Sequence, residues 1–140
     1  MILTCTFEEL GALRYGASNL LGERSRGHPP VAAPPRGREN VEALVPRLSG
    51  DLAIDTLDEQ RQVLKAVAAI VAHLKEEMDH WVTTTHPADE AAVSAYFLYA
   101  HALAVLTRLS EMGQEMEALI EVVTGSPATH QVAATFHFPS

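Results

Sequence analysis

The period of apolar positions organises the chain around residues 91–106, AAVSAYFLYAHALAVL, which are apolar on every side of a helix. At 3.6 residues per turn, Leu98, Ala102, Val105, Leu109, Met112, Met116, Leu119 and Val123 form one stripe. Ala92, Tyr96, Tyr99, Leu103 and Leu106 form a second stripe on the other side. A helix with two apolar faces needs a neighbour on each, and a chain of 140 residues can find one of them in a second copy of itself.

Upstream, Leu64, Val67, Val71, Leu74, Met78 and Trp81 recur at steps of three and four, with Val63 and Ile70 on the flank, which predicts an amphipathic helix. Thr56-Leu57-Asp58-Glu59 fits a capping box, Thr at N-cap with Glu three later, so the helix starts there. The β-branched run Thr83-Thr84-Thr85 ends it near Val82. His86-Pro87 then reads as a cap followed by Pro at the first helical position, with Asp89 and Glu90 suited to the positive end of the next helix dipole. That second helix stops near Thr124, before Gly125-Ser126-Pro127. Two long helices joined so closely form an antiparallel hairpin. Uninterrupted, the second would span roughly 55 Å, long for a domain of this size, so it is expected to break near Gly113 or to project into a partner.

Towards the N-terminus, Thr6-Phe7-Glu8-Glu9 is another capping box, and Leu10, Leu13, Ala17, Leu20 and Leu21 make one apolar stripe, ended by Gly22. Gly11 and Gly16 weaken this helix of residues 7–21 and open room for a neighbouring helix. Residues 22–38 hold paired prolines and several glycines with no apolar period, which predicts a loop or arm able to reach a protein partner. Val41, Leu44, Val45 and Leu48 share a helical face, with Asn40 as N-cap and Pro46 as a break. Residues 131–138 alternate as a short strand does, and residues 1–5 are its expected partner.

Charge changes the picture of what such a bundle can bind. The net charge is −8, unevenly spread: residues 1–50 carry six Arg against five Glu, and residues 51–140 carry four Lys or Arg against thirteen Asp or Glu. An acidic body repels a phosphate backbone, so nucleic acid is not an expected partner. With 47% hydrophobic and 20% charged residues, one cysteine, no basic-then-apolar leader and no apolar run near the ~20 residues of a membrane span, a cytoplasmic protein without membrane attachment is expected. Cys5 reads as a small buried hydrophobe and His101 as a core histidine.

Candidate chemistry is concentrated on one helix. Glu76, Glu77, Asp79 and His80 are the candidate ligands for a divalent metal, since Glu77-Met78-Asp79-His80 puts a carboxylate and an imidazole on one face. His73, Glu77 and His80 lie beside the apolar stripe on a helical wheel. Glu39-x-x-Glu42 together with Glu76-x-x-Asp79 resembles the paired acidic motifs of the all-α nucleoside-triphosphate pyrophosphohydrolases, over about eight residues. That resemblance implies Mg²⁺ held between two helices for hydrolysis of a nucleotide's α–β phosphate bond. No nucleophile elbow or glycine-rich phosphate loop occurs.

The expectation is thus an all-α fold, one helical domain over residues 1–140, built on a long antiparallel hairpin with a short terminal strand pair. The expected function is a self-associating interaction module, a small regulatory or adaptor protein that needs no cofactor. Its dimer interface would carry Tyr96, Tyr99, Leu103 and Leu106. The alternative is a Mg²⁺-dependent hydrolase using the acidic cluster.

Overall fold

The computed structural model describes residues 1–22, 38–86, 89–129 and 136–139. The predicted arm at 22–38 therefore lies almost wholly outside the described residues, as does most of the strand expected at 131–138. The fold is an all-α bundle with a small antiparallel strand pair. Four helices make it: α1 (Phe7–Leu20), α2 (Arg38–Leu44), α3 (Leu57–Thr84) and α4 (Glu90–Thr124). A 3₁₀ turn, Val45–Arg47, continues α2 past its end.

Helices α3 and α4 form the expected antiparallel hairpin, α1 packs on both of them, and α2 packs on α3. The core-facing residues of α4 run Ala92, Ala95, Ala102, Val105, Leu109, Met112, Gly113, Met116 and Ile120. That is the first predicted stripe as far as Met116. Leu119 and Val123 are exposed instead, and Ala92 belongs to this face rather than to the second. On α3 the buried line is Leu57, Gln60, Val63, Ala66, Val67, Ile70, Val71, Leu74 and Glu77. Val63 and Ile70 are central, not flanking, because α1 and α2 cover that side of α3 while α4 covers the other.

Both capping threonines work as predicted. Thr6 Oγ1 accepts from Glu9 N at 3.1 Å while Thr6 N donates to Glu9 Oε1 at 2.8 Å, a complete capping box. Thr56 Oγ1 accepts from Glu59 N at 3.1 Å, but the Glu59 carboxylate turns away to the Arg47 guanidinium at 2.9 Å. Three boundaries differ. Helix α2 begins at Arg38, leaving Asn40 inside it, and Arg38 donates to Leu21 O at 3.3 Å, tying the end of α1 to the start of α2. Helix α3 continues to Thr84, where the Thr83 and Thr84 hydroxyls satisfy carbonyls of the preceding turn. Helix α4 begins after Asp89, not at Pro87, because Asp89 accepts from His86 N and holds the turn.

Helix α4 does not break at Gly113. Its 35 residues are continuous because Gly113 is a site of close approach, where a Cβ would lie 2.5 Å from Gln60 Nε2. Gly125, at φ 71, terminates it in the left-handed conformation that glycine adopts without strain. In α1 a Cβ on Gly16 would lie 2.6 Å from Ile70 Cγ2, so α1 meets α3 backbone-first, whereas Gly11 has nothing within 4 Å.

Strand β1 (Ile2–Leu3) pairs with β2 (Leu52–Ala53), with Leu3 opposite Leu52 and both buried. Residues 1–5 thus find a partner in the segment before α3, while the pairing expected with 131–138 falls mostly outside the described residues. Residues 136–139 close the same end without strand pairing to β1: Phe138 N donates to Asp55 O at 2.7 Å, and the Met1 nitrogen donates to Pro139 O at 2.8 Å. Phe138 is buried against Phe136, ring centroids 4.7 Å apart.

Arg108 joins α4 to this end. Its guanidinium grips both oxygens of Glu9 at 2.7 Å and donates to Thr4 O at 2.9 Å. The bond from Arg108 pulls the Glu9 carboxyl from the usual range down to about 2, outweighing its burial, with the Thr6 amide adding to the effect. The Cys5 thiol nearby is buried, and burial pushes its pKa up.

Two outcomes test this packing. Gly16→Ala should cost about 1–3 kcal/mol by overpacking, while Gly11→Ala in the same helix should be neutral or stabilise by up to about 1 kcal/mol. Equal urea midpoints for the two variants would show that α1 does not seat on Gly16. Because Glu9 is depressed in the folded state, its contribution is complete above the ordinary carboxylate range near 4.5 and is lost as pH falls towards about 2. Arg108→Ala should remove about 2–3 kcal/mol of stability at neutral pH and flatten that acid limb, as read by urea melts at stepped pH.

Candidate functional site

Three polar or charged side chains among the described residues are buried: Glu9, Gln60 and Glu77. Glu9 and Gln60 are absorbed by the fold, Gln60 through the bond from its Nε2 to Leu109 O at 2.8 Å. Glu77 differs because it opens onto a cleft.

Glu77 lies three residues after Leu74 and seven after Ile70, so the turn of α3 carries it onto the core-facing line and not beside it. Helix α1 meets it with two neutral donors one turn apart. The Tyr15 hydroxyl donates to Oε1 at 2.6 Å and Asn19 Nδ2 donates to Oε2 at 3.2 Å. The other end of the Asn19 amide, Oδ1, is buried with no hydrogen-bond partner. Beyond Glu77 a cleft of about 460 Å³ opens between α1, the end of α3 and the first turns of α4. Tyr15, Trp81, Glu90, Ser94 and Leu98 line it together with Glu77. The volume falls within the range of small-molecule sites.

The four candidate metal ligands are dispersed. Glu76 and Asp79 are exposed, Glu77 is buried on the opposite side of the helix, and His80 is half-buried with its ring edge-on to Trp81 at 5.3 Å. Glu39 and Glu42 on α2 are also exposed, and Glu42 pairs with Arg38 one turn away at 3.1 Å. Among the described residues no group of three or more His, Cys, Asp or Glu side chains is placed to hold a metal ion.

The proposed interface residues divide. Tyr96 and Leu103 are exposed, whereas Tyr99 and Leu106 are half-buried against the core. The outer face of α4 carries Val93, Tyr96, Phe97, Ala100 and Leu103 at helical spacing, and Tyr96 and Phe97 are each 55% exposed. No Lys, Arg, Asp or Glu occurs between residues 91 and 107. By length and composition alone α4 is long and apolar enough to cross a membrane, and 28% of its most apolar window is buried in the bundle.

No known protein family, curated protein or solved structure matches the chain, so its function rests on these two features. Sequence reasoning placed Glu77 in the candidate set but missed Tyr15, Asn19 and Ser94. The available signal was the spacing of Glu77 from Ile70 and Leu74, which marks a carboxylate that must meet donors inside the fold.

Tyr15→Phe deletes one donor to a buried carboxylate and should destabilise the protein by about 1–3 kcal/mol. A urea midpoint unchanged from the parent would show that the Tyr15–Glu77 bond contributes nothing.

Proposed function

We propose that the protein is a self-associating helical module that forms a two-fold dimer through the outer face of α4. The observation that carries the reading is the uncharged apolar stripe of Val93, Tyr96, Phe97 and Leu103, exposed around a half-buried Ala100 on a helix whose other face packs into the bundle. Exposing two aromatic rings and two branched aliphatic side chains in one row is costly in water, and covering them is favourable at roughly 25 cal/mol per Å².

A second copy fits this stripe by its shape and charge. Ala100 is its midpoint, with bulky Tyr96 and Phe97 on one side and Leu103 on the other. Two such helices crossing antiparallel about Ala100 set the large residues of one against the smaller end of the other, an isologous contact. The charges that give each copy −8 lie outside the stripe, so repulsion is peripheral and open to screening by salt. A single stripe of five side chains is smaller than a permanent dimer interface, so association depends on concentration. For the Mg²⁺-dependent alternative no observation speaks, since Glu39, Glu42, Glu76 and Asp79 are all exposed and ungathered.

Light scattering over a concentration series tests the reading. The mass should rise from the 15.2 kDa of one chain towards twice that value, and added salt should strengthen the association. Phe97→Glu should leave helicity and melting temperature intact, because Phe97 stands outside the core, and should hold the chain monomeric. A parent chain still monomeric at roughly 100 µM would overturn the dimer. If that monomer sediments with lipid vesicles, the face belongs to a membrane surface instead.

A further inference from the structure

We infer that the cleft at Glu77 is a binding site for a small organic cation, an amine or guanidinium carried on a short hydrocarbon body. The argument for it does not rest on the proposed dimer, since Glu77, Trp81 and Ser94 line the cleft on the side of α4 away from the outer stripe.

The first ground is the electrostatics of the lining. Two carboxylates, Glu77 on the inner wall and Glu90 at the rim, face the cleft, and no Lys or Arg lines it among the described residues. Glu77 is 6% exposed, yet neither it nor Glu90 takes part in any ion pair among the described residues. A carboxylate has about four acceptor sites, and Tyr15 and Asn19 occupy two. A carboxylate kept from water with only neutral partners is destabilising unless a cation meets it, and removal of one partner from such a pair is worse still. The open side of Glu77 is the cleft.

The second ground is the kind of cation the walls accept. Trp81 and Tyr15 bring aromatic surface to the same space, and Ala91, Ala95 and Leu98 give it an apolar side. A strongly hydrated divalent ion needs several converging oxygens and retains water, which these walls do not supply. An ammonium or guanidinium is stabilised by an indole face as well as by a carboxylate, and its hydrocarbon body fits against Leu98. The Ser94 hydroxyl adds an acceptor for a further N–H. Anions are excluded by the same two carboxylates.

Trp81 is the sole tryptophan of the chain, so tryptophan emission, excited selectively over tyrosine, reports on this cleft. Titration with benzylamine and with agmatine should change the emission saturably, while benzyl alcohol and benzoate, matched in size but neutral or anionic, should not. Glu90→Gln, at an exposed position that leaves the core untouched, should weaken amine binding about tenfold. Ser94→Leu should fill the space and abolish binding with the circular dichroism unchanged. The inference is overturned if neither amine saturates below about 10 mM, if benzyl alcohol gives the same response, or if both variants bind as the parent does. Repeating the titration on the Phe97→Glu chain separates the result from self-association.

Discussion

The bundle depends on one contact in the hairpin, where the Gln60 side chain lies in the space left by the missing side chain of Gly113 and donates to Leu109 O. Sliding α3 along α4 by a turn would bury that amide against a side chain and strand it without a partner, which is costly in a dry interior. The hydrophobic stripes alone do not fix such a register, since Leu, Val, Ile and Met tolerate many mutual arrangements. Gln60 makes one alignment better than its neighbours, and α1 and α2 then have a defined surface on which to pack.

The same logic recurs at each contact among the three main helices. Glu9 joins α1 to α4 through Arg108, Gln60 joins α3 to α4, and Glu77 joins α3 to α1 through Tyr15 and Asn19. Each pair of helices thus shares one buried polar group, and two of the pairs also have a glycine at their close approach, Gly16 and Gly113. A buried polar contact adds little net stability but penalises wrong arrangements strongly. Apolar area supplies the drive to collapse here, and these three contacts select the arrangement.

Legibility in the sequence followed the physics of each signal. Local signals were plain: Thr6 and Thr56 capped helices where their spacing to Glu9 and Glu59 said they would, and Gly125 stopped α4. Long-range signals were hidden. Gly113 looked like a helix breaker because its cost is local while its compensation, Gln60, lies on another helix. The pairing of residues 2–3 with Leu52–Ala53 was not foreseen because two residues are too few to show an alternation. Glu77 appeared beside the apolar stripe because the stripe was centred on Leu64, Val71 and Met78, whereas the cover supplied by α1 and α2 rotates the buried line towards Val63 and Ile70. The carboxylates of Glu76 and Asp79 share a motif spacing with Glu39 and Glu42, yet spacing fixes only the face of a helix and not convergence between helices.

The two ends of the hairpin are finished differently, and this bears on function. At the end where α3 starts, β1, β2 and residues 136–139 form a clasp, with Arg47 bonded to both Ala53 O and Glu59. At the turn end no comparable clasp exists among the described residues, and the cleft lies there. The first three turns of α4 are therefore shared by both candidate surfaces: Ser94, Ala95 and Leu98 line the cleft, while Val93, Tyr96 and Phe97 form the outer face. The cleft and the outer stripe are two sides of the same helical turns. A ligand whose binding shifted the backbone of these turns would shift both surfaces together. By linkage, any effect of ligand on dimer affinity is matched by an equal effect of dimerisation on ligand affinity.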